Sequence, residues 1–356
     1  MIGIRIAGTG VHLPGAPIAN DRLRRALRRD PDGLSEEMQE RILAETGITT
    51  RHAAFDLDDP TERASNAAMA TAAGRQALAA AGWKPDDVEM LVVTTVIPDH
   101  LMPPTSTLVQ EALGIARCTE IEISANCTAP TKGLMVAASQ LQLGNCERAL
   151  VCFSQSVAFL GMPPWTNPAE MTADQGHLRW VLSDGAAALA LERGWPDIDL
   201  RIRLDSTGPG KRSGMSLPLG AATPDLRAAL AEGQQHVTQE MRYVLKEGVR
   251  STIDGLDRMF REFELDPTTI DHFIPSVSSL QLQRRLQPMF AERLGIPEGA
   301  WRTNFTSVGY VGSVAVPIVL DELAREGRLR PGDRIVTVAE ESSKWMFAGT
   351  TFRWNP

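Results

Sequence analysis

Residues 121–134 read IEISANCTAPTKGL. The apolar alternation of Ile121 and Ile123 is that of a strand, and it breaks at Ser124-Ala125-Asn126. A cysteine, Cys127, comes next, and from Thr128 a helical pattern runs to about residue 143. The thiol therefore stands at a joint between a strand and a helix. Backbone N–H groups at a helix start lack partners, and that end of the dipole favours negative charge. Both effects lower a thiol's pKa and sharpen it as a nucleophile. Ala125, Thr128 and Ala129 are small enough to let a substrate approach. The same pattern also suits a cysteine packed as a small hydrophobe.

Around this joint, apolar strand-like runs alternate with amphipathic helical ones. Strands are expected at IRIAGTGV, EMLVVTTV, CTEIEIS, RALVCF, AALALE, HFIPSV and RIVTVAE. Helices are expected at 61–82, 128–143, 236–263, 277–294 and 313–326. Continuous apolar strands between helices indicate sheets covered on both faces.

The pattern repeats. AAAGWKPDDVEMLVVTT and REFELDPTTIDHFIPSV share a helix end, a proline and a strand, and their prolines, Pro85 and Pro267, stand 182 positions apart. CTAPTKGLMVAASQLQLGNCERALVCFSQS and VGSVAVPIVLDELAREGRLRPGDRIVTVAEES likewise share helix, turn and strand. Two similar α/β halves follow, 1–196 carrying the cysteine and 197–356. A cleft where equivalent strand ends meet is the expected place for chemistry.

Composition narrows the field. The 356 residues carry a net charge of −8 with no strongly basic half, which argues against a general nucleic-acid binder. The apolar runs are far shorter than the roughly 20 residues of a membrane span. MIGIRIAGTG reads as a first strand rather than a signal segment, so a cytoplasmic location is expected. Cys118, Cys127, Cys146 and Cys152 form no CxxC pair and no zinc spacing. No metal or cofactor is expected.

Several segments resemble the beta-ketoacyl-acyl carrier protein synthase III family of the thiolase superfamily: IAGTGVHLPGAPIANDRL, ETGITTRH, TTVIPDHLMPPTSTLVQEALGI, ISANCTAPTKGLMVA, VLSDGAAALALE and VPIVLDELAREGRLRPGD. They occur in the family's order along essentially the whole chain. The resemblance implies a five-layered αβαβα fold made of two duplicated halves, a homodimer, and an acyl group carried on Cys127 from a coenzyme A or carrier-protein thioester. The family's members condense that acyl group with malonyl-carrier protein, assisted by a histidine and an asparagine.

This chain departs from that pattern. FIPSVSS puts Ser276 at the histidine position, and GYVGS puts Tyr310 at the asparagine position. The family's triple-glycine turn, which carries part of the oxyanion hole, corresponds to Ser342-Ser343-Lys344, with Ser343 the candidate backbone donor. Glu340 and Glu341 precede it, either as bases or as solvated loop residues. A serine hydroxyl is no general base near neutral pH unaided. Of the histidines, His272 is about 13 Å along the strand from Ser276 and reads as structural. His100 reads as structural or surface, and His177 lies in an insertion-like stretch read as a cover for the cleft.

The family's coenzyme A-stacking tryptophan and nearby arginine correspond to Arg41 and Glu45, which favours a carrier-protein donor. Carrier proteins are acidic. Arg242, Lys246 and Arg250 recur every fourth residue on one helix face, either as a docking site or as a solvated face. RLRRALRR near residue 22 reads as a solvated helix.

Three readings follow. The first is an acyltransferase passing the Cys127 acyl group to an oxygen, nitrogen or carbon nucleophile of a small molecule, in specialised-metabolite or fatty acid/polyketide-type biosynthesis. The second is true carbon–carbon condensation with substitute groups. The third is a non-catalytic partner subunit of a heterodimer.

Overall fold

A computed structural model describes residues 3–27, 34–59, 61–162, 165–166, 171–194 and 200–355. Its N-terminal sheet contains β1 (Ile4–His12), β2 (Met90–Thr95), β3 (Thr119–Ser124), β4 (Arg148–Gln155) and β5 (Gly185–Arg193), in the order β1-β5-β4-β2-β3. Its C-terminal sheet contains β6 (Arg201–Ser206), β7 (His272–Pro275), β8 (Arg334–Glu341) and β9 (Met346–Arg353), in the order β7-β8-β9-β6. Each sheet begins with a parallel pair, β2–β4 or β7–β8, and continues antiparallel. The second sheet thus repeats β2-β4-β5-β1, and the first adds β3 as an edge.

The 182-residue repeat is exact in structure. Pro85–Asp87 and Pro267–Thr269 are each one turn of 3-10 helix, and the strands after them open at Met90 and His272. Helices α1 (Asn66–Ala81), α2 (Thr105–Leu113), α3 (Ala129–Leu143), α4 (Ala173–Val181), α5 (Met241–Glu262), α6 (Leu280–Leu294) and α7 (Ala315–Arg325) complete the scaffold. Helices α3 and α7 lie between the sheets, sharing an apolar cluster that runs from Leu141 and Ile318 to Val151 and Ile335. Helices α1 and α2 cover the outer face of the first sheet, and α5 and α6 that of the second. This is the expected five-layered αβαβα arrangement. The proposed boundary at 196/197 lies outside the described residues.

Local chemistry sets these elements. Ser65 caps α1 by accepting from the Ala68 N–H, and Gly82 ends it in the left-handed conformation. Helix α1 is alanine-rich because β1 runs against it: a Cβ on Gly10 would come within 2.2 Å of the Ala73 carbonyl oxygen. Gly144 and Gly295 end α3 and α6 in the same left-handed way.

Most expected elements form, with later starts for α1, α5 and α6; in α1 and α6 a capping serine, Ser65 or Ser279, rather than apolar periodicity fixes the first turn. Strands β6 and β9 were not anticipated. RIRLDS alternates charge with aliphatics as a half-covered edge strand does, and β9 pairs with both β8, its hairpin partner, and β6. Cys146 and Cys152 are buried, as expected of small hydrophobes. Arg22 and Arg24 of the basic helix pair with Asp58 and Glu40; residues 28 and 29 lie outside the described residues. No described helix is long and apolar enough to cross a membrane.

Candidate active site

Cys127 follows β3 and immediately precedes α3, as its flanking residues indicate. Ala125 N–H donates to Thr95 O at 3.0 Å, and Ala129 N–H to Asn126 O at 2.9 Å, so the tight turn is fixed on both sides of the thiol. Tyr310 reaches it from the other half. The Tyr310 backbone is clamped by Val181 O and Ser183 N–H, each at 3.0 Å. Its hydroxyl lies 3.5 Å from Cys127 Sγ and 3.4 Å from Ser276 Oγ. Ser276 sits just beyond β7, its N–H donating to Val338 O at 2.8 Å, and its hydroxyl points 3.5 Å from Gly312 O. Cys127, Tyr310 and Ser276 thus form one chain of contacts, thiol to phenol to hydroxyl.

The electrostatics overturn one expectation. The Cys127 thiol is not acidified: burial pushes its pKa up to about 11, and the hydrogen bond from Tyr310 offsets this only in part. Glu341 pushes the same way. Its carboxylate occupies the start of α3, accepting from Thr128 Oγ1 at 2.5 Å and Thr128 N–H at 3.3 Å, with Ser343 Oγ donating to its other oxygen at 2.9 Å. A protein anion sits where a thiolate would have gained from the helix start. Burial likewise holds the Tyr310 phenol well above its usual range, so it is a neutral donor at physiological pH.

Glu341 is therefore neither a solvated loop residue nor a free base. Glu340, on the opposite face of β8, points toward α5. Its carboxylate oxygens are covered and make no hydrogen bond, and burial raises its pKa to about 8, with Ser251 and Lys211 opposing the rise. Ser342 and Ser343 form the turn after β8, which the left-handed Trp345 (φ 60°) completes. Trp345 is fully buried and donates to Arg212 O at 2.7 Å, so the turn differs from a glycine turn in being pinned by a side chain.

Cys127, Ser276, Tyr310, Glu340, Ser342 and Ser343 all border one cavity of about 710 Å³. Helix α5 walls it with Met241, Val244, Leu245, Gly248, Val249 and Thr252, a helical stripe. The outward face of α5 carries Arg242, Lys246 and Arg250, all exposed. Arg250 also pairs with Glu247 at 2.5 Å. Arg41 and Glu45 bind each other at 2.9 Å on an exposed helix face and provide no aromatic platform.

His177 and His100 border the same cavity; His272 does not, being held by Asp333 at 3.1 Å and Arg302 at 3.0 Å in the structural role expected of it. Gln155 was missed. It ends β4, borders the cavity, and its Oε1 accepts from Ser313 N–H at 3.1 Å and Ser313 Oγ at 3.2 Å. The signal was a buried polar side chain closing an apolar strand, RALVCFSQ.

Residues 260–354 match the family model described as 3-oxoacyl-[acyl-carrier-protein (ACP)] synthase III C terminal. The beta-ketoacyl-[acyl-carrier-protein] synthase III of Rhizorhabdus wittichii is 27% identical over 337 residues, 94% of each chain. Among solved structures, "AbyA1 - tetronic acid condensing enzyme" superposes with a TM-score of 0.80 at 25% identity, covering 98% of this chain and 99% of that one. The 3-oxoacyl-[acyl-carrier-protein] synthase III of Aquifex aeolicus gives a TM-score of 0.80 at 22% identity, over 99% of this chain and 100% of that one.

Proposed function

Because the chain belongs to the ketosynthase III family of acyl-transferring and condensing enzymes, we propose that Cys127 takes an acyl group from a thioester and passes it to an oxygen, nitrogen or carbon nucleophile of a small molecule. The observation that carries this reading is the sulfur itself: it borders a large cavity at the seam of the two halves, within reach of a neutral hydroxyl donor. In the first half-reaction the sulfur attacks the thioester carbonyl, the incoming thiol leaves with the proton, and the acyl group remains on Cys127. Tyr310 O–H donates toward the sulfur and favours its thiolate. Backbone N–H groups of Cys127 and Ser343 are the candidate oxyanion donors. In the second half-reaction the acceptor's nucleophile displaces the thiolate, and its proton returns to the sulfur.

The donor is inferred to be a carrier protein rather than free coenzyme A. The exposed cations of α5 suit an acidic partner, and the helix that bears them also lines the cavity. A cytoplasmic location and a homodimer fit this reading.

A second reading, carbon–carbon condensation, has one specific support: the structural neighbour at 25% identity is itself titled a tetronic acid condensing enzyme. Ser276 and Tyr310 would then be the donors to an enolate in place of imidazole and amide. A non-catalytic partner subunit is the least favoured reading, since such a copy has no need of a thiol on a large cavity.

Intact-protein mass after incubation with acyl-carrier thioesters decides the matter. A stable adduct that disappears in Cys127→Ala is expected, and no adduct with any donor would remove the enzymatic reading. Release of labelled carbon dioxide from malonyl-carrier protein separates condensation from transfer.

A further inference from the structure

The cavity does not stop at the nucleophile. It continues past Ser276 into the apolar layer of the C-terminal half, where Val249, Leu282, Leu286, Phe290, Trp301 and Val338 line it. Four of these, Leu286, Phe290, Trp301 and Val338, also belong to the cluster that forms the core between β7–β8 and α5–α6, and Val249 and Leu282 pack against it. Protein cores are normally filled to crystal-like density, and an apolar void there stays dry and takes apolar guests. Two polar groups nearest the entrance are engaged: Thr252 Oγ1 donates to Gly248 O at 2.8 Å, and Ser276 Oγ lies between Tyr310 and Gly312 O. A third, Glu340, borders the cavity two residues along β8 from Val338, and the six residues that line the arm itself are hydrocarbon or aromatic. The serine at position 276 is the small side chain that leaves this passage open; an imidazole there would project into it.

We propose that this arm holds the tail of a long, unbranched acyl group, so that the chain accepted by Cys127 has about a dozen carbons or more. The inference rests on Cys127 carrying an acyl group and adds the class of that group. Size is consistent. A methylene takes roughly the space of one water, about 30 Å³, so a fourteen-carbon tail needs on the order of 400 Å³. The cavity as a whole, about 710 Å³, exceeds that.

The test compares carrier-protein thioesters of two, eight and fourteen carbons by intact mass. The wild-type protein is expected to load the fourteen-carbon group about tenfold faster than the two-carbon group, or better. Leu286→Trp and Ser276→Leu, which fill the arm from its far end and its entrance, should each lower the fourteen-to-two ratio by about tenfold. Because a core variant can misfold, a titration of Cys127→Ala with tetradecanoic acid, read by calorimetry, supplies a second measurement. Micromolar binding is expected, and it should weaken when Leu286→Trp is added to a chain that still unfolds cooperatively. Equal or faster two-carbon loading, or tetradecanoic acid binding indifferent to both arm variants, overturns the inference and leaves the acyl role of Cys127 intact. If no donor loads at all, the proposed function fails, and the titration alone decides what the arm holds.

Discussion

The starts of α3 and α7 are the same construction carried out with different side chains. Strands β4 and β8 are 186 positions apart, and that offset places Cys127 opposite Ser313 and Gln155 opposite Glu341. Each strand ends in a side chain that crosses the seam and caps the helix of the other half. Gln155 accepts from Ser313, and Glu341 accepts from Thr128. The α7 cap is a neutral amide beside a serine; the α3 cap is a carboxylate beside a thiol. Architecture duplicates while charge does not, and the charged copy is the one that disfavours a thiolate.

The comparison can be broken most severely by making the two helix starts alike. Cys127→Ser gives α3 the hydroxyl that α7 already has, and acyl loading measured by intact mass should fall by about a thousandfold or more, because an alcohol lacks the thiol's nucleophilicity without a base beside it. Next comes the cap. Glu341→Gln keeps an oxygen for Thr128 and removes the charge, so the Cys127 pKa should fall and alkylation by iodoacetamide at pH 8 should quicken, by up to about tenfold. In the unaltered protein, alkylation should climb with every pH unit up to the limit of the measurement, since the thiol titrates at about 11. A flat profile between pH 7 and 9 contradicts a thiol that stays neutral across that range.

Glu340 separates burial from capping. Its folded carboxyl keeps a proton to about pH 8, whereas its ordinary value is 4.5. The folded state therefore binds the extra proton; the associated stability is whole below about 4.5 and is lost as pH rises through 8. Denaturant unfolding at pH 9 should show Glu340→Gln to be more stable than the wild type by about 1–3 kcal/mol, with the gap closing at pH 5. The smallest effect is expected of Ser276→His: carbon dioxide release from malonyl-carrier protein should stay within about threefold of wild type, since Tyr310 still fills the second donor position. Robust decarboxylation by that single variant would falsify the claim that both positions matter.

Much of this was legible in the chain. The strand-to-helix break at Ser124–Asn126 placed Cys127 at the joint it occupies, and the two prolines located the repeat, because both signals are local: alternation, turn residues and caps. The seam was not. Nothing in AEES shows that Glu340 faces α5 while Glu341 faces α3, until β8 is known to run on through both and the alternation of a strand is applied to them. The acidity of Cys127 was misjudged for the same reason. The helix start is a local feature, whereas the burial that dominates it comes from the other half. The cavity arm depends on what five separated segments leave unfilled, and no window of sequence carries that.

The crossed caps have a consequence for anyone who would rebuild this protein. Because each half completes a helix that belongs to the other, the halves are not interchangeable building blocks. A graft that imports one half from a relative brings a foreign strand end to the partner's helix, and only a graft that carries both strand ends together respects the way the chain is tied.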